Sequence, residues 1–144
     1  EVYARPDNLF VATFLGSPAM NLLKGTLEVR DGSLHFCSAN LRFDVSAYPF
    51  KNLPADRLPC VLGVRAEDVR VSERVDSGTA MSERANISLI EPMGNHRVVW
   101  LDYHGVQIAS IDQTKTPLAI GDAAAFSFDG AHISLFDEEG GARL

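Results

Sequence analysis

Between Asn40 and Val45 the chain alternates Leu41, Phe43 and Val45 with Asn40, Arg42 and Asp44, and this two-residue rhythm constrains the fold most. A period of two gives a strand one apolar and one wet face, because successive side chains point to opposite sides of the pleat. The rhythm returns between turn signals. Thr26 to Arg30, Asp31-Gly32 and Ser33 to Cys37 read as a hairpin, since Asp-Gly accepts the positive dihedral angles of a tight primed turn. Cys60 to Val64, Met81 to Ile90, Arg97 to Tyr103 and Val106 to Ile111 are further strands, with His104-Gly105 as the turn between the last two. "PLAIGD", Pro117 to Asp122, is the turn before a strand over Ala123 to Phe128. Ile133 to Phe136 is a last short strand before the polar tail "DEEGGARL". Ala47 to Pro59 has three prolines and little periodicity, so it reads as a crossing loop or linker.

Many short strands with frequent turns and little helix argue for an all-β fold, a small closed or half-closed barrel, with a sandwich open on the same residues. The 144 residues suit one ordinary domain, or two small barrels sharing a core. With 46% apolar and 22% charged residues the balance is globular.

Thirteen Lys and Arg against nineteen Asp and Glu leave a net charge of −6, spread without long blocks of either sign. Such a surface repels phosphate backbones, which argues against nucleic acid and against anionic membrane as partners. No apolar run reaches the roughly 18 to 20 residues of a membrane-spanning helix. No basic-then-apolar signal opens the chain, which starts at Glu1 and reads as processed or cut.

The first residues differ from the rest. Pro6 suits a first helical turn, Asp7 or Asn8 can cap it, and Gly16 with Pro18 stops it. Phe10, Val11, Phe14 and Leu15 fall on one face of that short helix. About eight residues are too few for a helix alone in water. It needs a docking surface. The sequence reading is therefore that these four residues pack on a neighbouring molecule, fold back on the barrel, or are poorly ordered.

Catalytic patterns are missing. No G-x-x-x-x-G-K-[ST] and no Gly-Lys pair occurs, so the phosphate cradle of nucleotide hydrolases is absent and no catalytic residue is assigned. His35, His96, His104 and His132 have no metal-ligand spacing, and no G-x-S-x-G frames a serine. The acidic pairs Glu67-Asp68 and Glu138-Glu139 read as solvated loops. Cys37 and Cys60 form no C-x-x-C and read as small apolar side chains in a reducing compartment. Trp100, Phe126, Phe128 and Phe136 could stack on bases, but with an acidic chain and no interleaved basic residues they read as core.

Four blocks carry a family resemblance. "NLFVATFLGSPAMNLL" (Asn8 to Leu23), "LGVRAEDV" (Leu62 to Val69), "IEPMGN" (Ile90 to Asn95) and "ISLFDEEGGARL" (Ile133 to Leu144) appear in order. Together they resemble ABC importer ATPase subunits of the maltose and glycerol-3-phosphate type. Ala66 stands where that family usually has proline, Met93 where leucine is common, and Gly140 or Gly141 where threonine is usual.

The resemblance implies a layout and a role. Residues 1–19 would be the terminal helix and linker of an absent ATPase domain, with Phe10, Val11, Phe14 and Leu15 as its docking helix. Residues 20–144 would be a transport-associated regulatory and homodimerisation domain like the oligonucleotide-binding (OB) fold. Gly16, Ser17, Pro18, Met20 and Asn21 would connect the two. Arg65 and Glu67 would pair or brace the barrel, or touch a dimer partner, and Glu91, Pro92 and Gly94 would form a loop with the same alternatives. ATP and magnesium would belong to the absent domain, leaving no cofactor here. Partners would be a second copy, membrane permease subunits and a regulatory protein, at the cytoplasmic face of the cell membrane. A molybdate-like oxyanion-binding module of a transport protein is the alternative.

Overall fold

The computed structural model describes residues 18–38, 41–73 and 81–144. The expected helix with Phe10, Val11, Phe14 and Leu15, and linker residues Gly16 and Ser17, lie outside them. The described residues form ten strands and two short 3₁₀ turns: β1 (Asn21–Arg30), β2 (Ser33–Ser38), β3 (Leu41–Asp44), β4 (Leu58–Val64), β5 (Arg70–Ser72), β6 (Met81–Pro92), β7 (Arg97–Tyr103), β8 (Val106–Asp112), β9 (Ala123–Phe128) and β10 (Ile133–Asp137), with the turns at Ala66–Asp68 and Gly130–His132. The fold is all-β.

Two compact units divide the chain, Glu1–Val64 with Gly130–Leu144, and Arg65–Asp129. Each holds one antiparallel sheet, ordered β10-β4-β1-β2-β3 in the first unit and β5-β9-β6-β7-β8 in the second.

In the first unit, Asp31 and Gly32 have φ of 50° and 78°, the left-handed pair of a type I′ hairpin, and β1 pairs with β2 from Arg30↔Ser33 to Thr26↔Cys37. Leu23, Leu27, Phe36, Leu41, Phe43, Cys60, Leu62, Ile133 and Leu135 share the buried face that the register aligns. β1 starts earlier than the alternation suggests, because Gly25 interrupts the apolar rhythm. The glycine is required there: a Cβ would stand 2.4 Å from the Cys37 carbonyl oxygen and 2.7 Å from the Phe36 ring.

β10 lies at the edge of this sheet, and two segments cover it. The Tyr48 hydroxyl accepts the Leu135 N–H at 3.2 Å, and Leu144 N–H donates to the Leu135 carbonyl at 2.9 Å. Edge strands left bare are sites of unwanted pairing.

In the second unit, His104 and Gly105 have φ of 49° and 86°, so the expected turn between β7 and β8 is also a primed one. Phe126 and Phe128 are fully buried with stacked rings 6.3 Å apart, and Tyr103 meets Phe126 edge to face. These aromatics are core, as is Phe136 in the first unit. The sheet's two edge strands β5 and β8 lie in contact, and Ser110 Oγ donates to the Val69 carbonyl at 2.6 Å. This contact curls the unit toward a closed barrel.

The sequence reading places Glu91, Pro92 and Gly94 together in a loop; Glu91 and Pro92 instead complete β6, paired with Val98 and Arg97. Proline is tolerated because the pairing alternates: Met93 N–H bonds His96 O at 2.8 Å, so Pro92 sits at a position whose nitrogen faces away from β7. Gly94 is in the turn as expected, with φ of 87°, which the first central position of a II′ turn requires.

Candidate functional site

The described residues of the four sequence blocks gather into two places. In the first unit the focus is Gly63, whose missing side chain leaves room on the sheet's second face. A Cβ there would meet Met20 Sδ at 2.6 Å, Phe136 at 3.2 Å and Leu22 at 3.4 Å. Met20 and Phe136 are buried against each other with Leu22 beside them. Met20, read as a connecting residue, is therefore also an anchor at the start of β1. Asn21 is the first residue of β1, buried and paired with Val64, and Pro18 is half-buried in the turn before it.

In the second unit the focus is Trp100. Arg65 precedes the 3₁₀ turn Ala66–Asp68, closed by Asp68 N–H to Arg65 O at 2.9 Å and Val69 N–H to Ala66 O at 3.3 Å. Ala66, in the proline position of the family pattern, is buried with Val98 and Ala109, and Trp100 and Ile111 pack against them. Arg65 is 5% exposed, and its Nε is 3.3 Å from Glu67 Oε2, a carboxylate 42% exposed. The pairing, one of the alternatives the sequence leaves open for these two residues, is present. Glu91 reaches the same patch, accepting the Trp100 Nε1–H at 2.6 Å.

A β-bulge shapes this patch. Ile87 pairs with Leu101 and Leu89 with Trp100, so Ser88 is the extra residue. Its hydroxyl lies 2.7 Å from Gln107 Oε1 and 3.2 Å from the Trp100 carbonyl. The bulge turns Leu89 outward, 45% exposed, beside Trp100. Met93, 54% exposed, lies at the end of the same hairpin. Sequence reasoning missed Trp100 as the hub, and it missed the Arg97–Asp112 ion pair at 2.8 Å that ties β7 to β8. An Arg and an Asp fifteen residues apart give no sequence signal until the register places them opposite each other.

Among the described residues no group of three or more His, Cys, Asp or Glu side chains is placed to hold a metal ion. What the two patches offer is packing surface, with an exposed apolar strip of Leu89 and Met93 at the Trp100 hairpin.

Two family models match the chain, the MalK OB fold domain over residues 16–69 and the TOBE domain over residues 62–136. The second covers more than half of the residues. The chain belongs to the TOBE domain family. The two matches overlap only at "LGVRAEDV", and the structure passes from one compact unit to the other within that block, at Val64–Arg65. In this TOBE chain the block does two jobs: Gly63 admits Met20 and Phe136 in the first unit, and Ala66 seals the β7–β8 face in the second.

Among similar proteins, the xylose/arabinose import ATP-binding protein XacK of Haloferax volcanii is 35% identical, covering 100% of this chain and 37% of its own length. The sn-glycerol-3-phosphate import ATP-binding protein UgpC of Vibrio vulnificus is 33% identical over 96% of this chain and 35% of its own. The trehalose import ATP-binding protein SugC of Mycobacterium tuberculosis is 26% identical, over 100% and 42%. The TOBE chain thus spans well under half the length of these relatives. A crystal structure of the cytoplasmic molybdate-binding protein ModG with molybdate bound matches with TM-score 0.63 at 18% identity, over 80% of this chain and 94% of that one. That likeness shows the OB-like fold.

Proposed function

We propose that this chain is the C-terminal regulatory and homodimerisation domain of an ABC importer ATP-binding subunit that energises uptake of a sugar or glycerol-phosphate-type solute. The observation that carries the reading is coverage: relatives named as import ATP-binding proteins match it over essentially its whole length, while it spans about 35 to 42% of theirs. ATP and magnesium would be bound in the remainder, where the hydrolytic motifs absent from these 144 residues would lie. The assembly would stand at the cytoplasmic face of the membrane against permease subunits. No helix among the described residues is long and apolar enough to cross it.

The physical task of such a domain is to hold two copies together. Each ATPase domain then meets its twin at high effective concentration through every opening and closing. A regulator that bound this domain in one state would bias the cycle at a distance, a coupling set by its differential affinity for the two states. Deletion of residues 20–144 from the full subunit should abolish regulation of transport while leaving the nucleotide site intact. Unchanged regulated transport would reduce the domain to an inert extension. Calorimetry with molybdate, tungstate and phosphate separates the oxyanion-binding alternative: heat with any of the three would overturn the preference for a regulatory module.

A further inference from the structure

Residues 142–144 lie along the open edge of β10 like a short added strand. Asp137 N–H donates to the Ala142 carbonyl at 2.8 Å, Leu144 N–H donates to the Leu135 carbonyl at 2.9 Å, and Phe136 bridges Arg143 between them. The intervening turn contains Gly140-Gly141, exposed through Gly140 and half-buried at Gly141, which has φ 76°. Residues 142–144 contribute two backbone hydrogen bonds to β10. The side chain of Arg143 makes the attachment specific. It is 9% exposed, donates from Nη1 to Ser134 Oγ at 2.9 Å, and places its guanidinium 5.9 Å from the centre of the Tyr48 ring. Tyr48 belongs to the crossing segment between β3 and β4, packs edge to face on Phe50, and accepts the Leu135 N–H.

Two elements distant in sequence are therefore held at one strand edge by one arginine. We propose that the β10 edge and Tyr48 form a strand-acceptor site for an extended peptide carrying an arginine followed by an aliphatic residue, and that residues 142–144 fill this site in cis as a detachable latch. The backbone of such a peptide would take the carbonyl and amide positions now used by Ala142 and Leu144. Its arginine would lie over Tyr48 and reach Ser134. Opening the latch frees the edge and loosens the crossing segment together, because Tyr48 is common to both. The inference stands on the first unit alone and does not depend on the transporter reading.

The direct test is a magnetic-resonance titration of the full chain shortened after Glu139 with the synthetic peptide Glu-Gly-Gly-Ala-Arg-Leu at millimolar concentration. The expected result is saturable shifts at Leu135, Ser134 and Tyr48, at least tenfold weaker binding when the peptide arginine is alanine, and no binding to the intact chain. Equal binding to the intact chain, or none to the shortened one, overturns the acceptor site. Hydrogen exchange on the unshortened protein guards against misfolding of the truncation. Arg143→Ala should raise exchange at least tenfold at Leu135 and through residues 47–57 while β1 and β2 keep their protection, and Tyr48→Phe should raise it at Leu135 alone. A uniform rise across the unit, or no rise in the crossing segment, overturns the latch.

Discussion

The indole nitrogen of Trp100 donates to Glu91 Oε1 at 2.6 Å, joining the end of β6 to the middle of β7 on the face sealed by Ala66. Trp100 is the sole tryptophan, so its fluorescence reports this contact directly. Glu91→Ala should shift the emission to the red and cost about 1 kcal/mol, below the roughly 1.5 to 3 kcal/mol of bonds to charged groups because Glu91 is exposed. Glu91→Gln keeps an acceptor and should leave the spectrum nearly unchanged. Identical spectra for the two variants would mean that the bond does not persist in solution.

Two glycines with similar crowding should respond differently to alanine. At Gly25 the added methyl meets a backbone carbonyl and the Phe36 ring, neither free to move, so Gly25→Ala should destabilise by about 3 kcal/mol. At Gly63 the nearest atom is the sulfur of Met20, on a flexible side chain, and the cost should be about 1 kcal/mol. Urea unfolding of both variants checks the order, which a larger loss for Gly63→Ala would reverse.

Arg65 and Glu67 form a lopsided pair, one 5% and the other 42% exposed. Glu67→Gln should change stability by less than about 1 kcal/mol, as for other solvent-screened pairs. Arg65→Ala also removes a buried stem and should cost about 2 kcal/mol. Equal losses in denaturant titrations would show that the ion pair, rather than the packing of Arg65, braces the turn.

Burial, with smaller contributions from the charges of Glu138 and Asp137, pushes the Cys60 thiol from 9.0 up to about 12. Burial and the Glu83 charge likewise push the Tyr103 phenol from 10.0 to about 12. Both groups keep their protons when folded and release them sooner when unfolded. Their contribution is therefore whole below about pH 9 and is lost as pH rises toward 12. Iodoacetamide at pH 8 should label the half-buried Cys37 and spare Cys60 until the protein is unfolded. Rapid native labelling of Cys60 would contradict this. The two cysteines cannot be bridged within the sheet, since Cys60 pairs with Gly25 and Cys37 with Thr26, neighbours on opposite faces of β1.

Local chemistry was the legible part of this fold. Asp31-Gly32, His104-Gly105 and the turn through Gly121 lie where the residues place them, because positive φ is a property of one or two residues. Strands such as β7 and β9 have the bounds read from the sequence between its turn signals. Features set by partners were harder to read. β5 is three residues long and carries no period of its own, and it exists because β9 offers a template. Pro92 looked like a turn residue, and only the hydrogen-bond phase of β6 against β7 shows why a strand accepts it. The four blocks were visible as a family pattern, yet their meeting points at Gly63 and at Trp100 follow from registers that no single segment specifies.

The most direct test of the regulatory and dimerisation reading is sedimentation of this chain at tens of micromolar. A dimer that dissociates on dilution is the predicted result. A monomer at every concentration would contradict the claim that this domain holds two importer subunits together.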